Sequence, residues 1–319
     1  MQSNTFSEAA AGGRPENSSG RAVPADRRQD APAVAAASAA AAAGRHGGAP
    51  AGRRIARAVE ANAAPFLLGC VSIGGLLLFW YLGTRYQWNF YIRFKNVPTP
   101  YEVVQQAIEV ASSDKFLVNI GMSVKRILSG FGLATLFGVA LGLLIGRYRV
   151  VSRLMMPAIE VLRPIPAIAW VPMSIMLWPT NEASIMFITF IGAFFPILLN
   201  TVHGVHTLDG VLLRAGRCLG ANEAQLFRHV ILPGVMPHVF TGLAVGMGVA
   251  WVSLIAAEMI SGQFGVGYFT WEAYSLVNYP AIVLGMITIG VLGLVCSGLI
   301  RVAGNLAMPW LEFANGGRK

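Results

Sequence analysis

Six long apolar segments constrain the fold of this chain more than any other feature of its 319 residues. The segments cover residues 65–82, 127–146, 165–178, 184–202, 239–260 and 281–303. An α-helix needs about 20 mostly apolar residues to cross the hydrocarbon core of a bilayer. Only 12% of the residues are charged, whereas soluble domains contain about 25%. The sequence therefore predicts an all-α membrane protein with six transmembrane helices.

The third segment is the least regular, because Pro164, Pro166 and Pro172 interrupt it. A membrane helix tolerates proline where neighbouring groups satisfy the freed backbone carbonyls. We therefore expect a bent helix that is buried in protein rather than facing lipid.

The ends of the chain differ from its middle in composition. Residues 1–60 are rich in Ala, Gly, Pro, Ser and Arg and offer little to bury. A secretory signal is the alternative, but the alanine run at 33–43 is weakly apolar and arginines are spread through the segment. We expect 1–60 to be a disordered cytoplasmic tail, 61–95 to hold the first transmembrane helix and an outer loop, 96–305 to form the core, and 306–319 to be a cytoplasmic C-terminal tail.

The basic residues indicate the orientation, since Lys and Arg near span ends favour the cytoplasmic side. The second and fourth loops contain Arg147, Arg149, Arg153, Arg163, Arg214, Arg217 and Arg228. The third and fifth loops, 179–183 and 261–280, contain no Lys or Arg. Both termini are therefore expected in the cytoplasm, and the net charge of +9 is explained by topology rather than by nucleic-acid binding.

The polar loop between the fourth and fifth segments has a helix–turn–helix pattern. Gly220 is placed to end the first helix with a positive φ, and Asn222 is placed to cap the second. Ala224, Phe227 and Ile231 then share one face of the second helix. An amphipathic helix that lies on the membrane surface is the alternative interpretation.

The spacing of this loop resembles the cytoplasmic "EAA" loop of ABC-importer permeases, where a glycine, a branched aliphatic residue and a Leu-Pro pair recur at fixed distances. Gly220, Val230, Leu232 and Pro233 follow that spacing. The resemblance implies that the loop docks on a separate ATPase subunit. The candidate docking residues are Arg214, Ala215, Gly216, Gly220, Ala221, Asn222, Glu223, Ala224, Phe227, Val230, Leu232 and Pro233.

Two residues depart from the family pattern and one follows it. Arg214 stands where the family usually has Glu, and Gly216 where it usually has the second Ala, whereas Ala215 fits.

Further strings, at residues 123–131, 162–166, 170–172 and 256–259, are similar, in the same order, to those of permeases for nitrate, bicarbonate, sulfonates and taurine. This resemblance implies a five-helix type I importer core and the pore subunit of an ATP-driven importer for a small anion or zwitterion. The implied mechanism is alternating access without covalent chemistry, so the chain is not expected to be an enzyme.

The same resemblance implies the partners and the location. The partners are a second permease copy, two cytoplasmic ABC ATPase subunits and a periplasmic or lipid-anchored solute-binding protein, in a bacterial inner membrane. ATP and Mg²⁺ are then held by the ATPase, and this chain binds no cofactor. None of its four lysines follows a Gly-x-x-x-x-Gly sequence, so it lacks a P-loop.

Five residues are candidates for the translocation path or its gating. Glu258 is the clearest acid within an apolar segment, and Arg126 stands at the corresponding end of the second segment, where the two side chains can pair. A carboxylate at membrane depth is costly and marks a functional candidate, and a local structural role is the alternative. The other candidates are Arg163, Trp170 and Ser253. A positive-inside anchor is the alternative for Arg163.

Two other classes of function stay open. A self-sufficient secondary transporter of small anions needs inverted repeats and polar midplane sites. A membrane-embedded enzyme needs several convergent acids, histidines or a nucleophile, which Glu258 alone does not supply. His203 and His206 lack a complete set of metal ligands, so no metal site is expected.

Overall fold

The computed structural model describes residues 51–86, 96–111 and 113–310, with side chains from Leu67 onward. The chain divides into two parts, 1–74 and 75–319. The first part contributes the beginning of helix α1, and all later helices belong to the second.

The described residues are helical and contain no β-strand. The helices are α1 (Ala51–Arg85), α2 (Pro100–Ala111), α3 (Asp114–Arg147), α4 (Arg149–Leu162), α5 (Val171–Leu177), α6 (Asn181–His206), α7 (Gly210–Cys218), α8 (Glu223–Leu226), α9 (Leu232–Ser261), α10 (Val266–Ser275) and α11 (Tyr279–Ala307). A 3₁₀ turn (Ala167–Trp170) precedes α5, and a π-helical segment (Phe227–Ile231) joins α8 to α9.

Within the described residues, five helices are long and apolar enough to cross a membrane. They cover Leu67–Arg85, Asp114–Arg147, Asn181–His206, Glu223–Ser261 and Tyr279–Ala307. A sixth crossing is present when α4 and the helical arm Ala167–Leu177 are counted as one bent span. The predicted all-α membrane fold with six crossings is confirmed on that count.

The third crossing differs from its predicted bounds of 165–178. It begins as α4, which follows α3 almost directly, and the arm Ala167–Leu177 is turned by 87° relative to α4. Pro164 and Pro166 stand in the break and lack the amide protons that would continue the helix. The expected bend is confirmed. The predicted start at 165 is wrong because a helix already forms upstream of the prolines. The expected burial of this helix is not found, since only Val171 and Ser174 of the arm are buried.

The predicted tail at 1–60 is only partly covered by the described residues. Helix α1 begins at Ala51, so residues 51–60 are helical. Residues 1–50 lie outside the described part of the chain, as do 87–95 of the predicted outer loop and 311–319 of the C-terminal tail.

Helix α6 packs between α3 and α9, and glycines permit the close approach to α3. Gly130, Gly138 and Gly142 are spaced by multiples of four along α3. A Cβ atom at Gly130 would lie 2.8 Å from Thr189 Cβ, and one at Gly142 would lie 2.7 Å from Thr201 Cβ. Small residues at such positions let membrane helices pack backbone to backbone.

The other side of α6 packs against α9 in the same way. A Cβ atom at Gly242 would lie 2.8 Å from Asn200 Cβ, and one at Gly246 would lie 2.9 Å from Ile197 Cγ1. The Gly-x-x-x-Gly pair in the fifth apolar segment therefore has the packing role that its spacing predicts. Helices α3, α6 and α9 form a closely packed block with little room for independent movement.

Candidate functional site

The turn at Gly220 ends α7 as the sequence predicts. Gly220 has a φ of 81°. Its amide donates to the Arg217 carbonyl, and the Ala221 amide donates to the Gly216 carbonyl, both at 3.0 Å. This pair of hydrogen bonds is the Schellman motif, which needs a left-handed residue at the glycine position. The predicted positive φ is confirmed.

The second loop helix begins at the predicted cap. The Asn222 side chain accepts from the Gln225 amide at 2.8 Å, and the Gln225 side chain accepts from the Asn222 amide at 2.9 Å. These two bonds form a capping box, which satisfies donors that the first helical turn leaves free. The predicted role of Asn222 is confirmed.

The second loop helix is continuous with the fifth crossing, which the sequence analysis did not anticipate. Helix α8 passes through the π-helical segment directly into α9, and Pro233 lies in the first turn of α9. Pro233 has no amide proton, so it leaves one upstream carbonyl without its helical partner beside the π-helical segment, where the Leu232 amide donates to the Phe227 carbonyl. A separate amphipathic helix lying on the membrane surface is therefore not what forms here.

The π-helical segment changes which side chains of the loop face the core. Leu226 and Ile231 are both buried, five positions apart, and Val235 follows four positions later. The predicted face of Ala224, Phe227 and Ile231 assumed the α-helical period throughout. Only Ile231 of that set is buried, while Ala224 and Phe227 line an open groove of about 600 Å³.

Leu226 is the loop residue that sequence reasoning missed. A Cβ atom at Gly216 would lie 2.6 Å from Leu226 Cδ2, so the leucine packs over the glycine of the preceding helix. The signal for this contact in the sequence was Gly216, which stands where the family usually has its second alanine. The two loop helices are held together through this contact, which joins α7 to α8.

An ion-pair group fixes the loop to the end of α3. Glu223 pairs with Arg147 of α3 and with Arg217 of α7, the latter at 3.0 Å. Glu223 was a predicted docking residue, whereas Arg147 had been assigned only a topological role. The cluster is largely exposed, so it orients the loop more than it stabilises the fold.

The rest of the loop presents an exposed surface. Arg214 and Ala215 are exposed, Val230 is half-buried, and Arg214 makes no ion pair or side-chain hydrogen bond within the described ranges. Arg214, which stands where the family usually has Glu, therefore presents an available positive charge beside the Gly220 turn.

A second polar group lies at the opposite end of α3. Glu258 is fully buried, and its carboxylate accepts from Arg126 Nη1 at 2.9 Å, from Ser123 Oγ at 2.8 Å and from the Gly267 amide at 3.0 Å. The predicted pairing of Arg126 with Glu258 is confirmed. Three donors and one opposing charge compensate the buried carboxylate, as a charge at this depth requires.

Arg126 also contacts two groups that the sequence analysis did not connect with it. Its Nε donates to Glu182 Oε2 at 2.9 Å, and its Nη2 pairs with the other Glu182 oxygen. Its Nη1 donates to the Phe264 carbonyl at 2.5 Å. The position of Glu182 in the first turn of α6, at the same end of the core as Arg126, was the signal available in the sequence.

The first turn of α10 is capped by side chains of other helices. The Gly265 amide donates to Asn119 Oδ1 at 2.9 Å, the Val266 amide to Ser123 Oγ at 2.9 Å, and the Gly267 amide to Glu258 at 3.0 Å. Gly265 has a φ of 121°, which favours glycine. Helices α3 and α9 thus supply partners for amides that a helix start leaves free.

The two polar groups mark the two ends of the core. Arg126 and Arg147 are about 20 residues apart on α3, which corresponds to roughly 30 Å of helix. That length matches the hydrocarbon thickness of about 30 Å. The charged clusters therefore lie near the two membrane surfaces, with apolar helix between them.

Residues 135–312 match the family model described as the binding-protein-dependent transport system inner membrane component. This match covers more than half of the chain. The chain belongs to this family. The resemblance drawn from the sequence motifs is confirmed.

Similar proteins that carry functional names are also named as permeases, in agreement with the family match. A protein of Methanocaldococcus jannaschii, provisionally named an ABC transporter permease, is 41% identical over 202 residues, which are 63% of this permease and 76% of the relative. The nitrate import permease of Synechocystis is 33% identical over 223 residues, or 67% of this permease and 81% of the relative. The bicarbonate transport system permease of Synechococcus elongatus is 35% identical over 173 residues, or 54% and 62% of the two chains.

These findings establish the class of protein. The permease is a multi-pass membrane component of an ABC import system and not an enzyme. Membership of the family implies that it works with an ATPase and with a binding protein.

The remaining path candidates of the permease lie in different surroundings. Ser253 is buried between α9 and α6, where a Cβ atom at Gly192 would contact it, and its hydroxyl donates to the Val249 carbonyl. Trp170 is half-buried in the 3₁₀ turn, and its indole Nε1 has no hydrogen-bond partner among the described residues. Arg163 is exposed at the break between α4 and the α5 arm.

Proposed function

We propose that this permease is the pore subunit of an ATP-driven importer for a small anion or zwitterion of the nitrate, bicarbonate, aliphatic sulfonate or taurine class. The observation that carries the proposal is the loop of residues 207–233, which is built into the core rather than attached to it. The names of the nitrate and bicarbonate relatives support the substrate class.

The loop has two mechanical connections to the core. Its second helix continues through the π-helical segment into α9, and Glu223 joins it to Arg147 at the end of α3. A force applied to α8 therefore acts on α9 and α3 together. Because glycine packing holds α3, α6 and α9 as one block, that force moves the block instead of bending one helix.

The proposed mechanism follows from this rigidity. ATP binding closes a pair of ATPase subunits, the loop transmits the closure, and two permease copies rock between inward-open and outward-open arrangements. Exposed Phe227 and the unpaired Arg214 form the contact with the ATPase. ATP and Mg²⁺ are bound by the ATPase subunits.

The proposed assembly has two permease copies, two ATPases and one periplasmic or lipid-anchored binding protein in a bacterial inner membrane. Both termini of the permease lie in the cytoplasm. The basic loops support this orientation, since Arg147, Arg149 and Arg217 all lie at the end of the core that carries the docking loop.

The test is transport by a reconstituted complex. The permease, its cognate ATPase and its cognate binding protein are placed in proteoliposomes, and uptake of ¹⁵N-nitrate, ¹⁴C-bicarbonate and ¹⁴C-taurine is measured with and without ATP. We expect ATP-dependent uptake of at least one anion or zwitterion, and none without the binding protein. Uptake that follows an ion gradient and ignores ATP would establish a secondary transporter instead.

A further inference from the structure

A cavity of about 430 Å³ lies beside Arg126, between the first half of α3 and the start of α6. We call it the Arg126 cavity. Among the described residues that line it, two are cations, Lys125 and Arg126, and one is a carboxylate, Glu182. The other lining residues are uncharged, so the cavity carries an excess of positive charge.

The guanidinium of Arg126 is bound differently on its two sides. Nη1 donates to Glu258 at 2.9 Å and to the Phe264 carbonyl at 2.5 Å. Nε donates to Glu182 at 2.9 Å, and Nη2 pairs with the other oxygen of the same carboxylate. Glu258 is fully buried, whereas the Glu182 side chain is 48% exposed. The core therefore fixes one side of the guanidinium, and a carboxylate that water reaches holds the other.

The Nε–Nη2 edge of Arg126 needs an acceptor at all times. The Arg126 side chain is 2% exposed, and a buried donor without a partner costs about 1–3 kcal/mol. Glu182 can turn towards water only if another acceptor takes its place on this edge. The structure thus favours the exchange of one anionic acceptor for another over the loss of the acceptor.

Lys125 supplies a positive charge that no carboxylate contacts directly. It makes no ion pair and no side-chain hydrogen bond with the described part of the chain. With Glu182 turned outward, two cations would remain at the cavity, Lys125 and Arg126, and only Glu258 would oppose them. A bound monovalent anion would then restore the balance of charge.

The start of α6 adds donors at the border of the cavity. The Thr180 side chain accepts from the Ala183 amide at 3.3 Å. The amides of Asn181 and Glu182 have no hydrogen-bond partner among the described residues, as is usual for a first helical turn. Free amides at a helix N-terminus stabilise an anion beside them.

The carboxylate of Glu182 shows which anions fit the edge of Arg126. A guanidinium fork matches two oxygens of one planar group, and a carboxylate occupies it here through both of its oxygens. Nitrate, bicarbonate and the sulfonate group also present two oxygens to such a fork. A monatomic anion such as chloride does not.

We propose that the Arg126 cavity binds a small oxyanion, which displaces Glu182 from the Nε–Nη2 edge of Arg126 and is also held by Lys125. The identification of this oxyanion with the transported substrate rests on the proposed function. In the proposed orientation the cavity lies at the periplasmic end of the core, where a binding protein would release its ligand. The alternative is a purely structural ion pair between Arg126 and Glu182, with no ligand.

Binding to the purified full-length permease tests the proposal without transport. The thermal unfolding midpoint is measured in nitrate, bicarbonate and methanesulfonate, each compared with chloride at equal ionic strength so that screening is the same. A ligand that binds only the folded state raises the midpoint with concentration. At least one oxyanion is expected to raise the midpoint above its value in chloride, with saturation.

Two lysine variants separate the Arg126 cavity from general effects of charge. Lys125→Gln is expected to raise the half-saturating concentration of the oxyanion about threefold or more, since it removes one of the two cations. Lys115→Gln is the matched control. It removes an exposed lysine of the same helix that lines a neighbouring cavity, and it is expected to leave that concentration unchanged.

Glu182→Ala removes the internal competitor for the Arg126 edge. Its midpoint in chloride is expected to lie below that of the wild type, and the oxyanion should recover part of the loss. The oxyanion should also bind about threefold or more tightly, because every molecule is then competent to bind it. Arg126 is left in place, since its removal would strand the buried carboxylate of Glu258.

Three results would overturn the proposal. The first is a midpoint that responds to the oxyanions no more than to chloride. The second is an equal oxyanion effect in Lys125→Gln and Lys115→Gln, and this comparison stays decisive if Glu182→Ala does not fold. The third is a loss of midpoint in Glu182→Ala that is the same in every salt, which would establish a structural ion pair.

The site and the proposed function can fail separately. ATP-dependent uptake by the reconstituted complex, without any oxyanion effect on the midpoint, would remove the site and leave the function. An oxyanion effect that depends on Lys125, in a permease that transports none of the labelled substrates, would support the site and contradict the function.

Discussion

Arg126 Nη1 and Glu258 Oε1 are joined by a 2.9 Å hydrogen bond although the two residues are 132 positions apart in the chain. The bond joins α3 to α9, and Glu182 extends it to α6. The three closely packed helices are thus also linked by charge at one end. The network holds the α9–α10 turn as well, because Arg126 donates to the Phe264 carbonyl.

Replacing Glu258 by Gln is expected to lower both stability and transport. The amide group of Gln would point a donor at Arg126, Ser123 or the Gly267 amide, each of which needs an acceptor. Leaving one buried donor unsatisfied costs about 1–3 kcal/mol. Uptake per assembled complex should fall several-fold while the ATPase still co-purifies. The measurements are uptake and the thermal unfolding midpoint of the purified permease.

Glu182→Gln is the matched control, since it removes the other carboxylate from Arg126. The Glu182 side chain is 48% exposed, so water can replace its contacts. A smaller loss of stability is therefore expected. Equal effects of the two variants would contradict the view that burial of Glu258 is what matters.

Leu226 and Phe227 are neighbours with opposite expected effects. Leu226 is 1% exposed and packs over Gly216, so Leu226→Ala should destabilise the loop by about 2–5 kcal/mol. Phe227 is 39% exposed, so Phe227→Ala should leave the fold intact and weaken ATPase binding about tenfold or more. Unfolding midpoints and affinity for the purified ATPase check both. Normal ATPase affinity and transport in Phe227→Ala would remove it from the docking surface.

The Arg147–Glu223 pair is expected to affect coupling rather than stability. Both side chains reach solvent, and pairs of that kind contribute little to folding. Glu223→Arg should therefore lower the ratio of substrate transported to ATP hydrolysed, with little change in the unfolding midpoint. The exchanged pair, Arg147→Glu with Glu223→Arg, should recover part of that ratio. A single variant with normal coupling would show that the ion pair transmits nothing.

The proposed membrane orientation of the permease predicts on which side of the membrane each of four sites lies. Reporter fusions at Pro179 and Tyr274 should be found outside, and fusions at Ser152 and Asn222 inside. The reason is the distribution of arginine, since the loops near Ser152 and Asn222 carry it and those near Pro179 and Tyr274 do not. Mixed reporter signals at Asn222 would contradict this orientation.

Local signals of the sequence were sufficient for the turn of the docking loop. Gly220 and Asn222 act through hydrogen bonds within a few residues of themselves, so residue type and spacing predicted them. The buried Leu226 was not predictable in the same way. Its inward position depends on one π-helical turn, and a period of 3.6 residues placed Phe227 there instead.

The polar network could be predicted only in part for a different reason. The depth of Arg126 and Glu258 in their apolar segments suggested a pair at the same membrane surface. Glu182 and Asn119 join that network through contacts between helices far apart in the chain, which no local pattern encodes. Likewise, the prolines of the third segment predicted a bend, but not the length of α4 before it.

The capping of α10 by other helices has a consequence for the order of folding. The amides of Gly265, Val266 and Gly267 donate to acceptors on α3 and α9. The first turn of α10 therefore lacks these hydrogen bonds until α3 and α9 have packed together. During synthesis α10 emerges after them and can be ordered as soon as it appears. A substitution that prevents α3 from packing against α9 would leave the start of α10 unformed. Protease cleavage between Gly262 and Gly267 would then detect that early failure of folding.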